Sequence, residues 1–288
     1  MKRYFTYKSL TLLLVAILAG CSSGNKAKPL IEGFDKVITG NAGQNGQEID
    51  VDTDDNGTAS GGLGLPAAIP GSGEQILHRE AYTVSYNPDT KLPNWVAWQL
   101  TPERCSGPAK RKGVDFEEDT DVDEPRATDA DYYTSGYDRG HMCPAGDNKQ
   151  SMTAMRQSFL FTNICPQAPS LNRGDWNEME NACRRWAKDY GRVYIVCGPI
   201  LYKGKHKTIG RNKVVVPEAF FKVVLRMGDH PEAIGFIYKN GDGNRPKGDY
   251  VNSVDEVERI TGIDFFPSLP DNIEKKVEAK SNPEHWGI

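Results

Sequence analysis

Long apolar runs are scarce in this 288-residue chain. The one near the amino terminus, Leu10 to Ala19, spans ten residues, about half the roughly 20 needed to cross a bilayer, which excludes it as a spanning helix. Charge of one sign is also lacking. Thirty-five basic residues face 39 acidic ones for a net charge of -4, so the chain is no protein that coats polyanions by bulk attraction. Cysteine is sparse, at six, and no CxxC or Cys/His spacing suggests a zinc site. Only five histidines are present, and no internal repeat is visible.

What is there reads as one substantial domain with appendages. Composition is that of an ordinary soluble globular protein, with 38% apolar and 26% charged residues. The charge is polarised along the chain. Asp115 to Glu124 holds seven acidic residues and no basic one, whereas Arg156 to Lys213 holds eleven basic residues against four acidic. A local basic groove is therefore compatible with the negative total, and it suits a protein that must release an anionic product.

The amino terminus has the form of a targeting segment. Lys2, Arg3 and Lys8 precede the short apolar stretch, and Leu18-Ala19-Gly20-Cys21 follows with a small-residue cleavage pattern. That pattern resembles a bacterial lipobox with Cys21 as the lipidated first residue. The expectation is an exported protein, lipid-anchored in the bacterial cell envelope at the outer membrane or facing the periplasm. Residues 1–20 would be the signal peptide. Residues 21–73, rich in Gly, Asn, Asp and Ser, would be a flexible tether, and 74–288 the globular domain. Export would permit disulfides among Cys105, Cys143, Cys165, Cys183 and Cys197, an odd count that leaves at least one thiol free.

Strand patterns predict Tyr82–Tyr86, Trp95–Leu100, Ser158–Ile164, Arg192–Leu201, Lys213–Val216, Phe220–Met227 and Ala233–Tyr238 as sheet. Helix patterns predict Asn172–Tyr190, stopped by Gly191, and a short helix opened by the capping box at Ser253-Val254-Asp255-Glu256 and stopped by Gly262. Strands and helices without regular alternation predict an α+β domain on a largely antiparallel sheet.

The chemistry is concentrated in Asp138-Arg139-Gly140-His141 and, 31 residues after His141, Asn172. A histidine can take a proton from water, an arginine can hold phosphate charge, and a neutral amide can offer one oxygen to hydrated Mg²⁺. Asn172, Trp176, Glu180 and Arg184 are spaced by four and would share one helix face. Each residue also has a plainer reading. Asn172 could be a helix cap, Glu180 with Arg184 a solvated ion pair, Asp138 with Arg139 another, and His141 a structural histidine.

The two surrounding blocks weight the balance. YYTSGYDRGHMCPAGDNK, from Tyr132 to Lys149, resembles the core motif of the DNA/RNA non-specific endonucleases. The second block, Phe161 to Arg184, matches that family's Thr-Asn, Pro-Gln, Asn, Trp, Glu and Arg in order and spacing. The resemblance runs roughly from Tyr82 to Phe266. It implies the ββα-metal (His-Me finger) core on an antiparallel sheet with flanking helices. It also implies hydrolysis of phosphodiesters in both DNA and RNA with Mg²⁺, Mn²⁺ being a substitute. His141 would be the general base, Asn172 the direct metal ligand and Glu180 the partner of metal-bound water. Arg139 and Arg184 match phosphate-contacting positions, Arg111 aligns more loosely with another, and Asn163 falls among the substrate contacts. Two rival readings remain open at this point: a phosphodiesterase acting on small or lipid-linked diesters, and a surface protein that captures nucleic acid without cutting it.

Overall fold

Apolar residues alternate along β9 (Ala219–Arg226), where Phe220 and Val224 point to one side while Phe221, Val223 and Leu225 point to the other. A strand buried on both faces needs a layer on each side. The computed structural model, which describes residues 62–71, 73–241 and 243–288, supplies both layers around one antiparallel sheet. The strands are β1 (Gln75–His78), β2 (Thr83–Asn87), β3 (Leu92–Leu100), β4 (Asp138–His141), β5 (Ile164–Gln167), β6 (Val193–Ile200), β7 (Thr208–Ile209), β8 (Val214–Val215), β9, β10 (Glu232–Lys239) and β11 (Val251–Asn252). Seven of them form the main sheet in the order β1-β2-β3-β6-β9-β10-β11, every pair antiparallel. The helices are α1 (Pro102–Ser106), α2 (Asp129–Tyr132), α3 (Met152–Gln157), α4 (Pro169–Arg173), α5 (Asp175–Asp189), α6 (Val254–Thr261) and α7 (Asp271–Ala279).

On one side of the sheet, α5 lays Trp176, Met179, Cys183, Trp186 and Ala187 onto Phe220, Phe236 and Tyr238. On the other, α6 and α7 lay Val254, Val257, Ile260, Ile273 and Val277 onto Phe221, Val223 and Ile237. The expected α+β class with a mostly antiparallel sheet and flanking helices is therefore what the chain adopts. Beside the α5 layer, β4 and β5 form a separate two-stranded ribbon with His141 opposite Ile164 and Gly140 opposite Cys165. The two strands and the helix that follows are the ββα unit, and Trp176 Nε1 ties it together by donating to the His141 carbonyl oxygen at 3.1 Å.

Four sequence expectations are corrected. Ser158–Ile164 is no strand: α3 ends at Gln157 and a 3₁₀ turn covers Phe161–Asn163 before β5 begins. The apolar residues there are buried by a turn, and a run this short does not distinguish the two. Val214–Val215 pairs only with Thr208–Ile209 and does not continue the main sheet. The long helix expected from Asn172 is two helices, broken at Gly174, whose φ of -100° and ψ of -112° are not helical. The packed body also begins before Glu74. Leu63, Leu65 and Ile69 pack against the second core, and the Ala67 amide donates to the Asp264 carbonyl at 2.9 Å. The signal peptide, Cys21 and most of the expected tether lie outside the described residues.

Candidate active site

His141 closes β4 with its ring only 9% exposed, wedged between Phe116 at 5.3 Å and Phe159 at 4.8 Å. Its Nε2 is buried and has no hydrogen-bond partner among the described residues. Burial, with help from the Arg111 guanidinium, lowers its pKa from 6.5 to about 3, so the imidazole is neutral throughout the physiological range. A neutral imidazole can accept a proton, whereas an imidazolium cannot. The glycine before it is required by the ribbon, because a Cβ at Gly140 would run into the Gln167 side chain.

Asn172 lies in the last turn of α4, ahead of the break at Gly174, so it is not the cap of the long helix. Its Nδ2 donates to Asp138 Oδ2 at 3.0 Å, and Arg173 grips the same carboxylate through Nε and Nη2, both at 2.7 Å. That bond fixes the amide orientation and leaves Oδ1 with no donor among the described residues. Asp138 thus pairs with Arg173 and Asn172, and the arginine beside it in sequence turns elsewhere. Arg139 forms an ion pair with Asp129 at 2.6 Å and lies over the rings of Phe116 and Tyr132 at 5.5 and 5.6 Å.

Glu180 is half-buried, and it pairs with Arg184 at 3.8 Å. Burial pushes its carboxyl up to about 7, against the pull of Lys222 and Arg184 toward ionisation. Arg184 is held more firmly by Asp147, at 2.7 Å. Beneath Glu180 sits Lys222, fully buried, its ammonium 4.2 Å from the Trp176 ring centroid and 5.2 Å from that of Trp98. Burial acts against the charge of Lys222, but Cys197, Cys183, Glu180 and Asp147 around it raise its pKa above that of an ordinary lysine.

Arg111 is exposed and lies 5.3 Å over the Phe159 ring, with no carboxylate partner among the described residues. Its charge acts on both His141 and Glu180, and it is the uncommitted guanidinium of the cluster. Asn163 is different. It is completely buried, accepting from the Cys143 amide at 2.9 Å while its Nδ2 donates to the carbonyls of Cys143 and Ser158, both at 2.8 Å. An amide so engaged shapes the turn behind His141 and is not presented to a substrate. The nearby thiol is equally unavailable, because burial pushes Cys143 up to about 12. All five described cysteines are buried and free.

Three partners were invisible to the sequence reading: Asp138 as the hook for Asn172, Asp147 as the anchor of Arg184, and Lys222. The last had a signal, since a lysine on the helix-facing register of an apolar strand, between Phe220 and Val224, has no reason to be there without a countercharge.

A family model described as DNA/RNA non-specific endonuclease matches residues 65–272. The chain belongs to that family. Human mitochondrial Endonuclease G is 35% identical over 209 residues, covering 68% of this chain and 70% of its own. Mitochondrial nuclease EXOG of Xenopus laevis is 34% identical over 219 residues, 70% of this chain and 61% of its own. A nuclease of Nostoc sp. is 31% identical over 216 residues, 71% and 78% of the two chains. A solved EndoG/EndoGI complex, described as bearing on the mechanism of EndoG inhibition, superposes with a TM-score of 0.64 at 29% identity, covering 68% of this chain and 86% of that one. Membership carries endonuclease action on DNA and RNA as the family's activity. The family relatives also correct the expected location. Endonuclease G and EXOG are named as mitochondrial, which overturns the bacterial, lipid-anchored envelope placement drawn from the amino terminus. No described helix is long and apolar enough to cross a membrane.

Proposed function

We propose that this endonuclease hydrolyses the phosphodiester backbone of DNA and RNA with Mg²⁺, for which Mn²⁺ can substitute, using His141 as general base. The observation that supports this most is a neutral His141, packed against Phe116 and Phe159 and in the field of Arg111, which has no carboxylate partner among the described residues. The donors nearby suit a hard cation: a neutral amide oxygen on Asn172 that has no donor among the described residues, and the half-buried carboxylate of Glu180 as the partner of a metal-bound water. Mg²⁺, when bound, would supply positive charge to the scissile phosphate and the leaving oxygen.

The residues of the chain divide the remaining work. His141 takes a proton from water through its imidazole as the water oxygen bonds to phosphorus, the bond to the 3′-oxygen breaks, and solvent protonates the leaving oxygen. Arg111 holds the nonbridging oxygens, and Arg139 and Arg184, each locked on one edge by Asp129 and Asp147, turn their remaining donors toward the strand. These contacts read phosphate and not bases, which suits a sugar-non-specific enzyme. A polymer substrate is favoured by basic surface on either side. Lys207 reaches Tyr137, next to the motif, at 4.8 Å from its ring. A cleft of about 560 Å³ beside α5 is lined by Lys149, Arg184, Arg185, Lys188 and Lys247.

The test is to incubate plasmid, RNA and a small chromogenic diester with the protein and Mg²⁺, with and without chelator, and to titrate Mg²⁺ for three variants. Chelator-sensitive cutting of both polymers is expected. Asn172→Ala should raise the Mg²⁺ needed for half-maximal rate more than Glu180→Ala does. Asn172→Asp should bind metal at least as well yet turn over more slowly, because its charge offsets the ion's field on the phosphate. Cleavage of the small diester alone would make the enzyme a phosphodiesterase of another kind. An Asn172→Ala titration superposing on the parent would remove Asn172 as metal ligand.

A further inference from the structure

Across the main sheet from the catalytic layer, carboxylates gather where α6 meets α7. Asp255 and Glu258, three apart on α6, and Glu278 near the end of α7 each bring one carboxylate oxygen within 4.8 Å of the other two. Glu278 is only 5% exposed, and its Oε1 has no hydrogen-bond partner. It forms no ion pair among the described residues. Glu258 already receives the Phe265 amide at 2.7 Å, which fixes its carboxylate in place. Asp264 and Glu274 add further negative charge around the group, and the largest charge effects on Glu278 all come from carboxylates.

A buried carboxylate with no donor is costly, and a second and third beside it make it more so. Natural proteins relieve such a cluster with a proton or a cation. The spacing fits the cation: oxygens at about 2.3–2.6 Å from one Ca²⁺ are at most about 5 Å apart. Exposed Asp255 leaves an open side for the waters that would complete a shell of about 6–8 oxygens. We propose that Asp255, Glu258 and Glu278 form a second, non-catalytic divalent-cation site, of calcium type, that clamps the carboxy-terminal helix α7 to α6.

The ion's role would be structural. The two helices bury Val254, Val257, Ile260, Ile273 and Val277 against the sheet, and the acidic cluster pushes their polar edges apart. Without an ion the repulsion is met by protons, and burial with the neighbouring carboxylates pushes Glu258 up to about 7 and Glu278 up to about 9.

The experiment uses the full chain carrying Asn172→Ala, so that the catalytic metal position is disabled, and calcium chloride as the probe. Calorimetric titration at pH 7 should show one Ca²⁺ bound, and Ca²⁺ should raise the thermal midpoint. Glu278→Gln or Asp255→Asn, added to Asn172→Ala, should weaken binding by roughly tenfold or more and remove the midpoint shift. Asp255 is exposed, so its variant folds whether or not an ion is bound. Absence of binding to the Asn172→Ala chain, or a midpoint shift that survives Asp255→Asn, would overturn the site and leave a proton-sharing carboxyl pair in its place.

Discussion

A histidine that must be neutral to act can be kept neutral by placing it where a proton is expensive, and His141 is so placed. Phe116 and Phe159 pack against its ring and leave it little solvated, and Arg111 repels an added charge. None of the other histidines, His78, His206, His230 and His285, lies in either sequence block. His141→Ala is therefore expected to lower the plasmid-cleavage rate by ~10²–10⁴-fold while binding of a DNA oligonucleotide is retained. The same burial couples the residue to stability. The unfolded chain binds this proton below about pH 6.5, and the folded chain refuses it until about pH 3. The contribution is fully present above 6.5 and is lost as pH falls through that window, by roughly 2 kcal/mol at pH 5. Urea unfolding at pH 7.5 and pH 5 should show a smaller acid loss in His141→Ala than in the parent. Equal losses would mean that the ring is hydrated and its pKa ordinary.

Two elements present the two halves of the chemistry, and the joint between them is Gly174. Its backbone is outside the helical region, and a Cβ there would stand 2.5 Å from the Ser170 carbonyl oxygen, the acceptor that its own amide uses. That break turns α4 so that Asn172 meets Asp138 while α5 keeps Trp176 under the His141 carbonyl. Gly174→Ala is expected to cost ~1–3 kcal/mol and to raise the Mg²⁺ requirement with it, because α4 must re-aim. Gly191→Ala, at the far end of α5 with open space around it, should strain the backbone without touching the metal response. The pairing of a stability assay with a Mg²⁺ titration separates the two. The sequence made the residues at this joint legible but not the joint. Asn172, Trp176, Glu180 and Arg184 at steps of four read as one continuous face, since a single glycine inside a helical pattern is commonly tolerated. The long strands β3, β6, β9 and β10 were legible for the opposite reason, because their apolar residues outlast any turn. Residues 158–164 were not, because a buried 3₁₀ turn has the same short apolar run as a strand. Asn163 was legible as a motif member but not as a structural one, since only the fold reveals that its amide is consumed by Cys143 and Ser158.

At the scale of the whole molecule, one sheet separates two tasks. The α5 side carries His141, Glu180 and the buried Lys222, and the α6–α7 side carries a second apolar interface with the acidic cluster at its edge. The second interface is larger than the sequence indicated because the chain returns to it twice. It closes at α7, and it begins with Leu63, Leu65 and Ile69, which lie on the same core and are tied down by the Ala67 amide on Asp264. The Ile69 amide also donates to Glu74 at 3.0 Å, so the segment is bonded to the start of β1 as well as to the far side of the sheet. A boundary at Glu74 cuts through this packing, whereas one at Gly62 keeps the contacts of the described residues. A chain beginning at Gly62 is expected to unfold at the same midpoint as the full chain and to cleave plasmid at the same rate. One beginning at Glu74 loses three half-buried apolar side chains and two backbone hydrogen bonds, roughly 2–4 kcal/mol. Its catalytic residues all remain, so its rate per folded molecule at low temperature should be unchanged while its thermal midpoint drops. Loss of activity without loss of stability in the Glu74 chain would mean that residues 62–73 reach the active side of the sheet, and equal midpoints for the two chains would mean that Leu63, Leu65 and Ile69 contribute nothing to the second core.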